Sequence, residues 1–251
     1  MLSDLWLVGI GTGALGHLTL QGQNALRAAS TILVPRKGAG KDDLADLRLS
    51  LLRQIDAVGK VVPFDMPVRD ETLPYQERVS RWHDEIAVKW QEALAGAHTD
   101  GPVALMVWGD PGLYDSTLRI ADRLDPKPTV RVVPGITALQ ALTAAHAVPF
   151  NTVDGSVCIT TGRRLRENGL PQDAQSVFVM LDGACSFQNL DDPELHIWWG
   201  AFLGMQEELL VSGPLTEVAE KIQKIRSEAR SAHGWIMDTY LIRRLTETCG
   251  A

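Results

Sequence analysis

Apolar and polar positions follow two rhythms along this chain, and in the first half the rhythms take turns. Short apolar runs occur at 5–10, 31–34, 61–64, 103–107 and 129–133. Runs this short, bounded by glycine or proline, read as buried strands. Between them the spacing becomes helical. Leu20, Ala25, Leu26 and Ala29 share a face in 19–29, and Leu44, Leu47, Leu51 and Leu52 follow a capping Asp42. Val79, Trp82, Ile86, Trp90 and Ala93 stripe one side of a long helix over 75–95. Shorter helices are expected at 116–124, capped by Ser116, and at 139–145. Strands alternating with helices predict right-handed crossovers and a parallel sheet.

Val148-Pro149-Phe150-Asn151 interrupts the alternation. We therefore expect one α/β domain over 1–147 and a second over 148–251. In the second part strands are expected at 156–160, 177–181, 197–203, 208–212 and 235–242, with a helix near 215–229 and shorter ones around Arg164 and Cys185. Strands this closely spaced imply a mixed sheet. The expected class is α/β in both parts.

The composition is that of a soluble globular protein. The chain has 251 residues, 45% hydrophobic and 22% charged. A formal net charge of -7 argues against nucleic acid as a partner, but local arginines and lysines still allow an anionic small molecule. No apolar run is long enough to span a membrane, and no basic-then-apolar leader opens the chain, so a cytoplasmic protein is expected. Cys158, Cys185 and Cys249 form no CxxC motif, and no metal is expected.

Two loops carry candidate chemistry. Trp108-Gly109-Asp110-Pro111-Gly112-Leu113-Tyr114-Asp115-Ser116 follows a buried strand, and ligands of open α/β sheets bind outside the carboxyl ends of strands. A glycine beside a carboxylate lets a ligand approach the backbone. Gly9-x-Gly11-x-x-Ala14 fits a relaxed dinucleotide fingerprint. That fingerprint wants an acidic residue at the end of strand two, where this chain has Pro35 and Arg36. An arginine there could meet a 2′-phosphate, so an NADP-binding oxidoreductase is one alternative.

Three stretches in order, Val8-Gly9-Ile10-Gly11-Thr12-Gly13 with Leu18-Thr19-Leu20, Gly109-Asp110-Pro111, and Val133-Pro134-Gly135-Ile136-Thr137-Ala138, resemble the tetrapyrrole methylase family. The resemblance covers nearly the whole chain. Val34-Pro35-Arg36-Lys37-Gly38, Trp82-His83, the run from Trp198 to Gly204 and the run from Gly234 to Leu241 narrow it. They are similar to the members that methylate carbon 1 of precorrin-5 and expel its acetyl group as acetate, giving precorrin-6A in cobalamin synthesis. Methylation at another precorrin carbon without acetate loss is the neighbouring alternative.

The resemblance implies two α/β domains with a cofactor cleft between them. It implies S-adenosylmethionine as cofactor, S-adenosylhomocysteine as product, and a homodimer. Gly109 and Asp110 would hold the amino-acid or ribose part of the cofactor, with Leu113 packing nearby. Thr137 and Ala138 would close over it. Met180 would pack on the adenine, and backbone of Ala201, Phe202 and Leu203 would read its edge. Gly11, Thr12 and Gly13 would face the precorrin. In the uroporphyrinogen methylases an acidic residue ends strand two, where this chain has Pro35, and a proline sits at the position of Thr12. Their general base therefore does not carry over.

Removing an acetyl group needs a base for water and donors for the oxyanion. Candidates are Tyr114 and Asp115, then Asp65, His83 and Asp238. Tyr114 and Asp115 are preferred because they lie in the cofactor loop. His83 is expected on the solvated side of its helix. Asp238, in mid-strand, must be paired or face the cleft. The carboxylates of a precorrin suit Arg36, Lys37 and Lys41, and less directly Arg163 and Arg164.

Overall fold

The computed structural model describes residues 2–36, 43–95 and 100–245. The chain divides into two compact units, Met1–Thr137 and Ala138–Ala251.

The first unit holds β1 (Asp4–Gly9), α1 (Leu20–Ala28), β2 (Thr31–Arg36), α2 (Asp43–Gln54), β3 (Val61–Asp65), α3 (Tyr75–Ala95), β4 (Val103–Val107), α4 (Thr117–Ala121) and β5 (Thr129–Val133). The five strands form a wholly parallel sheet in the order β3-β2-β4-β1-β5. Period-two alternation sorts their side chains. Val8, Ile10, Ile32, Val34, Ala104 and Met106 pack with α1 and α2 on one face. Leu5, Leu7, Leu33, Val103, Leu105 and Val107 pack with α3 and α4 on the other. Both faces of β1, β2 and β4 are covered, which is why these strands read as unbroken apolar runs; the edge strand β5 is exposed over 129–132.

Strand β2 was expected to end before Pro35, yet it runs to Arg36. Its ladder to β4 stops at Leu33, and Pro35 lies opposite Phe64 of β3. Pro35, with no N–H, therefore sits on a one-sided stretch of strand. The two central strands part here, and the chain leaves β2 for α2 on one face and β4 for α4 on the other.

The second unit holds α5 (Ala138–Ala145), β6 (Val157–Thr161), α6 (Gly162–Asn168), β7 (Ser176–Met180), β8 (Leu195–Ala201), β9 (Leu209–Pro214), α7 (Leu215–His233) and β10 (Asp238–Arg244). Its sheet has the order β6-β7-β10-β8-β9. Only β6 and β7 pair in parallel; β10 runs antiparallel to both neighbours, and β9 to β8. The expected division at 147/148 lies at the far end of α5. That helix packs with the second sheet, where Leu142 lies against Gly200 and the His146 ring meets the Trp199 carbonyl at 3.0 Å.

Candidate active site

Three glycines meet at the carboxyl edge of the first sheet. Gly9 ends β1, Gly109 follows β4 and Gly135 follows β5, and β1 lies between the other two strands. A Cβ on Gly135 would stand 2.0 Å from the Gly109 carbonyl oxygen and 2.8 Å from the Gly9 carbonyl carbon. A Cβ on Gly9 would stand 2.6 Å from the Gly135 nitrogen. No side chain fits there. The close approach allows the Gly11 N–H to donate to the Gly109 carbonyl at 3.3 Å and the Gly109 N–H to return a bond to Gly11 at 2.8 Å. Asp110 completes the joint. One carboxylate oxygen accepts the Gly112 N–H at 2.7 Å, and the other accepts the Gly135 N–H at 2.9 Å. The three stretches singled out in the sequence are thus one braced unit.

The glycine loop does not serve a dinucleotide in the usual way. Gly11 and Gly13 have φ of +73° and +114°, and the Thr12 hydroxyl and His17 Nδ1 hydrogen-bond at 2.7 Å. A 3-10 turn, Leu15–His17, then intervenes, and α1 begins only at Leu20, capped by Thr19 accepting the Gly22 N–H. A pyrophosphate loop opens directly into its helix so that the first N–H groups face the phosphates. That arrangement is absent here, and the NADP reading loses its structural support.

In the loop after β4, Leu113 is half-buried and donates its N–H to the Asp110 carbonyl at 3.2 Å. Tyr114 is 44% exposed with φ +48°, a conformation that non-glycine residues adopt at a cost. Asp115 accepts both the N–H and the hydroxyl of Thr117. It does the capping expected of Ser116, which makes no side-chain cap bond. Arg36 is exposed at the end of β2, opposite an exposed Asp65. Lys37 and Lys41 lie outside the described residues.

One expectation changes, and one is settled between its two alternatives. His83 is not on a solvated face: it is 4% exposed, and its Nε2 has no hydrogen-bond partner. Burial, then the charges of Arg123, Arg119 and Arg69, lower its pKa. Asp238 is paired. It accepts from Arg226 Nε at 2.8 Å and Nη2 at 3.3 Å, and from Trp199 Nε1 at 3.0 Å. So engaged, it is a structural carboxylate and leaves the set of bases.

In the second unit, the residues implied for adenine share one sheet edge. Strands β7 and β8 are both antiparallel to β10, so they run parallel to each other and finish together. Each finishes in a left-handed residue, Leu181 (φ +55°) after Met180 and Phe202 (φ +51°) after Ala201. Leu181 is 67% exposed, whereas the Phe202 and Leu203 side chains are buried. The Phe202 N–H donates to the Met237 carbonyl at 3.0 Å, and its carbonyl accepts from Met205 at 2.9 Å. Thr137 ends the first unit with its Cα 3.6 Å from where a Gly109 Cβ would stand, and Ala138 opens α5.

A residue that the sequence reading passed over lies beside this loop. Arg48 is 7% exposed, and its guanidinium stands 4.8 Å from the Trp108 ring centroid. Spacing held the signal. Leu44, Arg48 and Leu52 recur every four residues, which puts the arginine on the apolar face of α2.

Residues 4–219 match the profile of the Tetrapyrrole (Corrin/Porphyrin) Methylases. The chain belongs to this family. Among similar tetrapyrrole-methylase sequences is a precorrin-6A synthase [deacetylating] from Sinorhizobium sp., 43% identical over 251 residues, which span 97% of this chain and 96% of the relative. Among solved structures, a cobalamin synthesis related protein (CobF) from Corynebacterium diphtheriae superposes with a TM-score of 0.84 at 37% identity, covering 98% of this chain and all of the other. A uroporphyrin-III C-methyl transferase from Thermus thermophilus, solved with S-adenyl homocysteine, shares the fold at a TM-score of 0.59 and 19% identity over 96% of this chain and 92% of its own.

Proposed function

We propose that this chain is an S-adenosylmethionine-dependent methyltransferase that methylates carbon 1 of precorrin-5 and releases its acetyl group as acetate, giving precorrin-6A. The carrying observation is the 43% identity to the Sinorhizobium precorrin-6A synthase [deacetylating] across 97% of the chain. The Thermus methyltransferase with S-adenyl homocysteine bound supports the choice of cofactor.

The residues present fit that cofactor. Both Asp110 oxygens are oriented by backbone N–H groups, and each keeps a second lone pair for a ligand amine or hydroxyl. Gly109 adds no side chain beside Asp110, and Leu113 follows in the same loop. Exposed Leu181, next to Met180, offers apolar surface to a base, and Ala201, Phe202 and Leu203 end β8 at the same edge, with β10 between the two strands. Thr137 and Ala138 complete the set. When bound, the cofactor supplies a methyl group already activated on a sulfonium, so the chain's task is to position and to exclude water.

Deacetylation is the step that needs side-chain chemistry. Water adds to the acetyl ketone, the bond from carbon 1 to the acetyl carbon breaks, and acetate leaves. The electron pair stays on the macrocycle as the carbon nucleophile. Asp115, oriented by Thr117, is assigned as base for the water. Tyr114 is assigned as hydroxyl donor to the oxyanion. Gly11, Thr12 and Gly13 face the macrocycle in this reading, and Arg36 and Lys37 meet its carboxylates. A homodimer in the cytoplasm belongs to the same reading.

Calorimetry with S-adenosylhomocysteine and with NADPH, followed by turnover with methyl-labelled cofactor and precorrin-5, tests it. Tight binding of the first nucleoside and label in the macrocycle are expected. Binding of NADPH instead would overturn it.

A further inference from the structure

Where β2 and β4 part, the first unit holds an open cavity of about 280 Å³. Its walls include Leu105 and Met106 of β4, Ile86 and Trp90 of α3, Arg48 of α2 and Asp115. The opening lies between strands whose chains depart to opposite faces of the sheet, the crevice where open α/β sheets take their ligands. The volume is at the small end of ligand clefts, roughly 300–1,000 Å³. It suits one small group.

One cationic side chain, Arg48, reaches this cavity with donor capacity to spare. Arg48 spends Nε on the Met106 carbonyl at 3.4 Å and Nη1 on the Leu44 carbonyl at 3.2 Å. Among the described residues its Nη2 has no acceptor, and no described carboxylate forms an ion pair with it. The rings of Trp90 and Trp108 also line the cavity, but their indole N–H groups are buried away from it. Asp115 acts on Arg48 through its charge without forming an ion pair with it, and both of its bonds from Thr117 fall on one oxygen, Oδ1. Burial lowers the Arg48 pKa to about 10, with Asp115 opposing the fall, so the guanidinium is charged at neutral pH. A buried cationic fork with an unused N–H edge calls for a ligand that brings acceptors and a negative charge. The apolar walls, Ile86, Leu105 and Ile120, suit a methyl or methylene beside that charge.

We propose that this cavity is a binding site for one small carboxylate of acetate or propionate size, held by the Arg48 guanidinium. Two sources fit the chemistry, a carboxylate arm of the macrocycle or acetate set free at carbon 1. Only the naming of these sources rests on the function proposed above. The site itself rests on the cavity and its donors.

The test uses the whole chain without macrocycle or methyl donor, so it holds or fails independently of methyl transfer. Carbon-13-labelled acetate is titrated, and its line broadening is followed. Acetamide, of the same shape but neutral, is the control. Wild type is expected to broaden acetate and to ignore acetamide. Arg48→Met is expected to lose at least tenfold in acetate affinity while keeping a cooperative thermal transition. Arg48→Lys keeps the charge but not the fork and is expected to fall between the two. If Arg48→Met does not fold, the Arg48→Lys comparison decides. Equal acetate binding by wild type and a folded variant overturns the proposal, as does acetamide competing as well as acetate, or no broadening in wild type. In turnover, a raised precorrin KM in Arg48→Met identifies an arm of the substrate as occupant. Loss of product inhibition by acetate identifies the released acid.

Discussion

Asp110 holds Gly135: one carboxylate oxygen accepts the Gly135 N–H at 2.9 Å, and the other turns back to Gly112 at 2.7 Å. The loop after β4 is thereby locked to the loop after β5.

Asp110→Asn should weaken S-adenosylhomocysteine binding. The amide keeps one acceptor oxygen and points an NH₂ group at a backbone donor. A hydrogen bond to a charged group is worth about 1.5–3 kcal/mol, so the affinity should fall roughly ten- to a hundredfold. Calorimetry on the folded variant checks it. Unchanged affinity would remove Asp110 from the cofactor site.

Gly135→Ala should be severely destabilising, by about 1–3 kcal/mol or more, because the new Cβ would stand 2.0 Å from the Gly109 carbonyl oxygen. Gly16→Ala is the control, since nothing lies within 4 Å of a Cβ there. Denaturant unfolding of the pair should show a large loss at 135 and little at 16.

Asp238→Asn should cost stability first. Arg226 and Asp238 have side chains only 10% and 9% exposed, and breaking a buried pair from one side costs about 3–5 kcal/mol. If Asp238 were the base instead, activity would collapse in a variant whose unfolding midpoint had not moved.

The buried His83 gives stability a pH dependence of known sign. Its folded pKa lies below the ordinary 6.5. Between the two values the unfolded chain binds a proton that the folded chain refuses, so this part of the stability is present above about pH 6.5. It is lost as the pH falls through the window toward the folded pKa. The melting temperature of His83→Met should decline less over that window than that of wild type. Parallel declines would show that other groups carry the acid sensitivity.

Much of the frame was legible because β1, β2 and β4 are covered on both faces. Val103–Val107 and Thr129–Val133 read as strands from apolar content alone, and both match the structure residue for residue. What escaped was decided by packing between elements. Nothing local in 138–145 says that α5 belongs with the second sheet; Leu142 against Gly200 says so. Pro35 looked like a terminator because sequence does not reveal that β4 has already left that stretch of β2. His83 and Arg48 were misread or passed over for a different reason. Val79, His83, Ile86 and Trp90 keep helical spacing, as do Leu44, Arg48 and Leu52, so both positions were legibly buried. Residue type outweighed position in the reading. At the site, the glycine trio could be seen as a motif, but the mutual contact that forbids any Cβ could not.

The central claim is a coupled exchange at one carbon, acetyl out and methyl in. Mass spectrometry of the macrocycle after incubation with precorrin-5 and S-adenosylmethionine, with acetate assayed alongside, tests it most directly. With S-adenosylhomocysteine in place of the methyl donor, acetate and an unmethylated, deacetylated macrocycle are expected, because a fully substituted carbon cannot accept a methyl group. With the full cofactor, the account predicts a product that has gained one methyl and lost one acetyl group, with one acetate per turnover. A macrocycle that gains the methyl and keeps its acetyl group would contradict it.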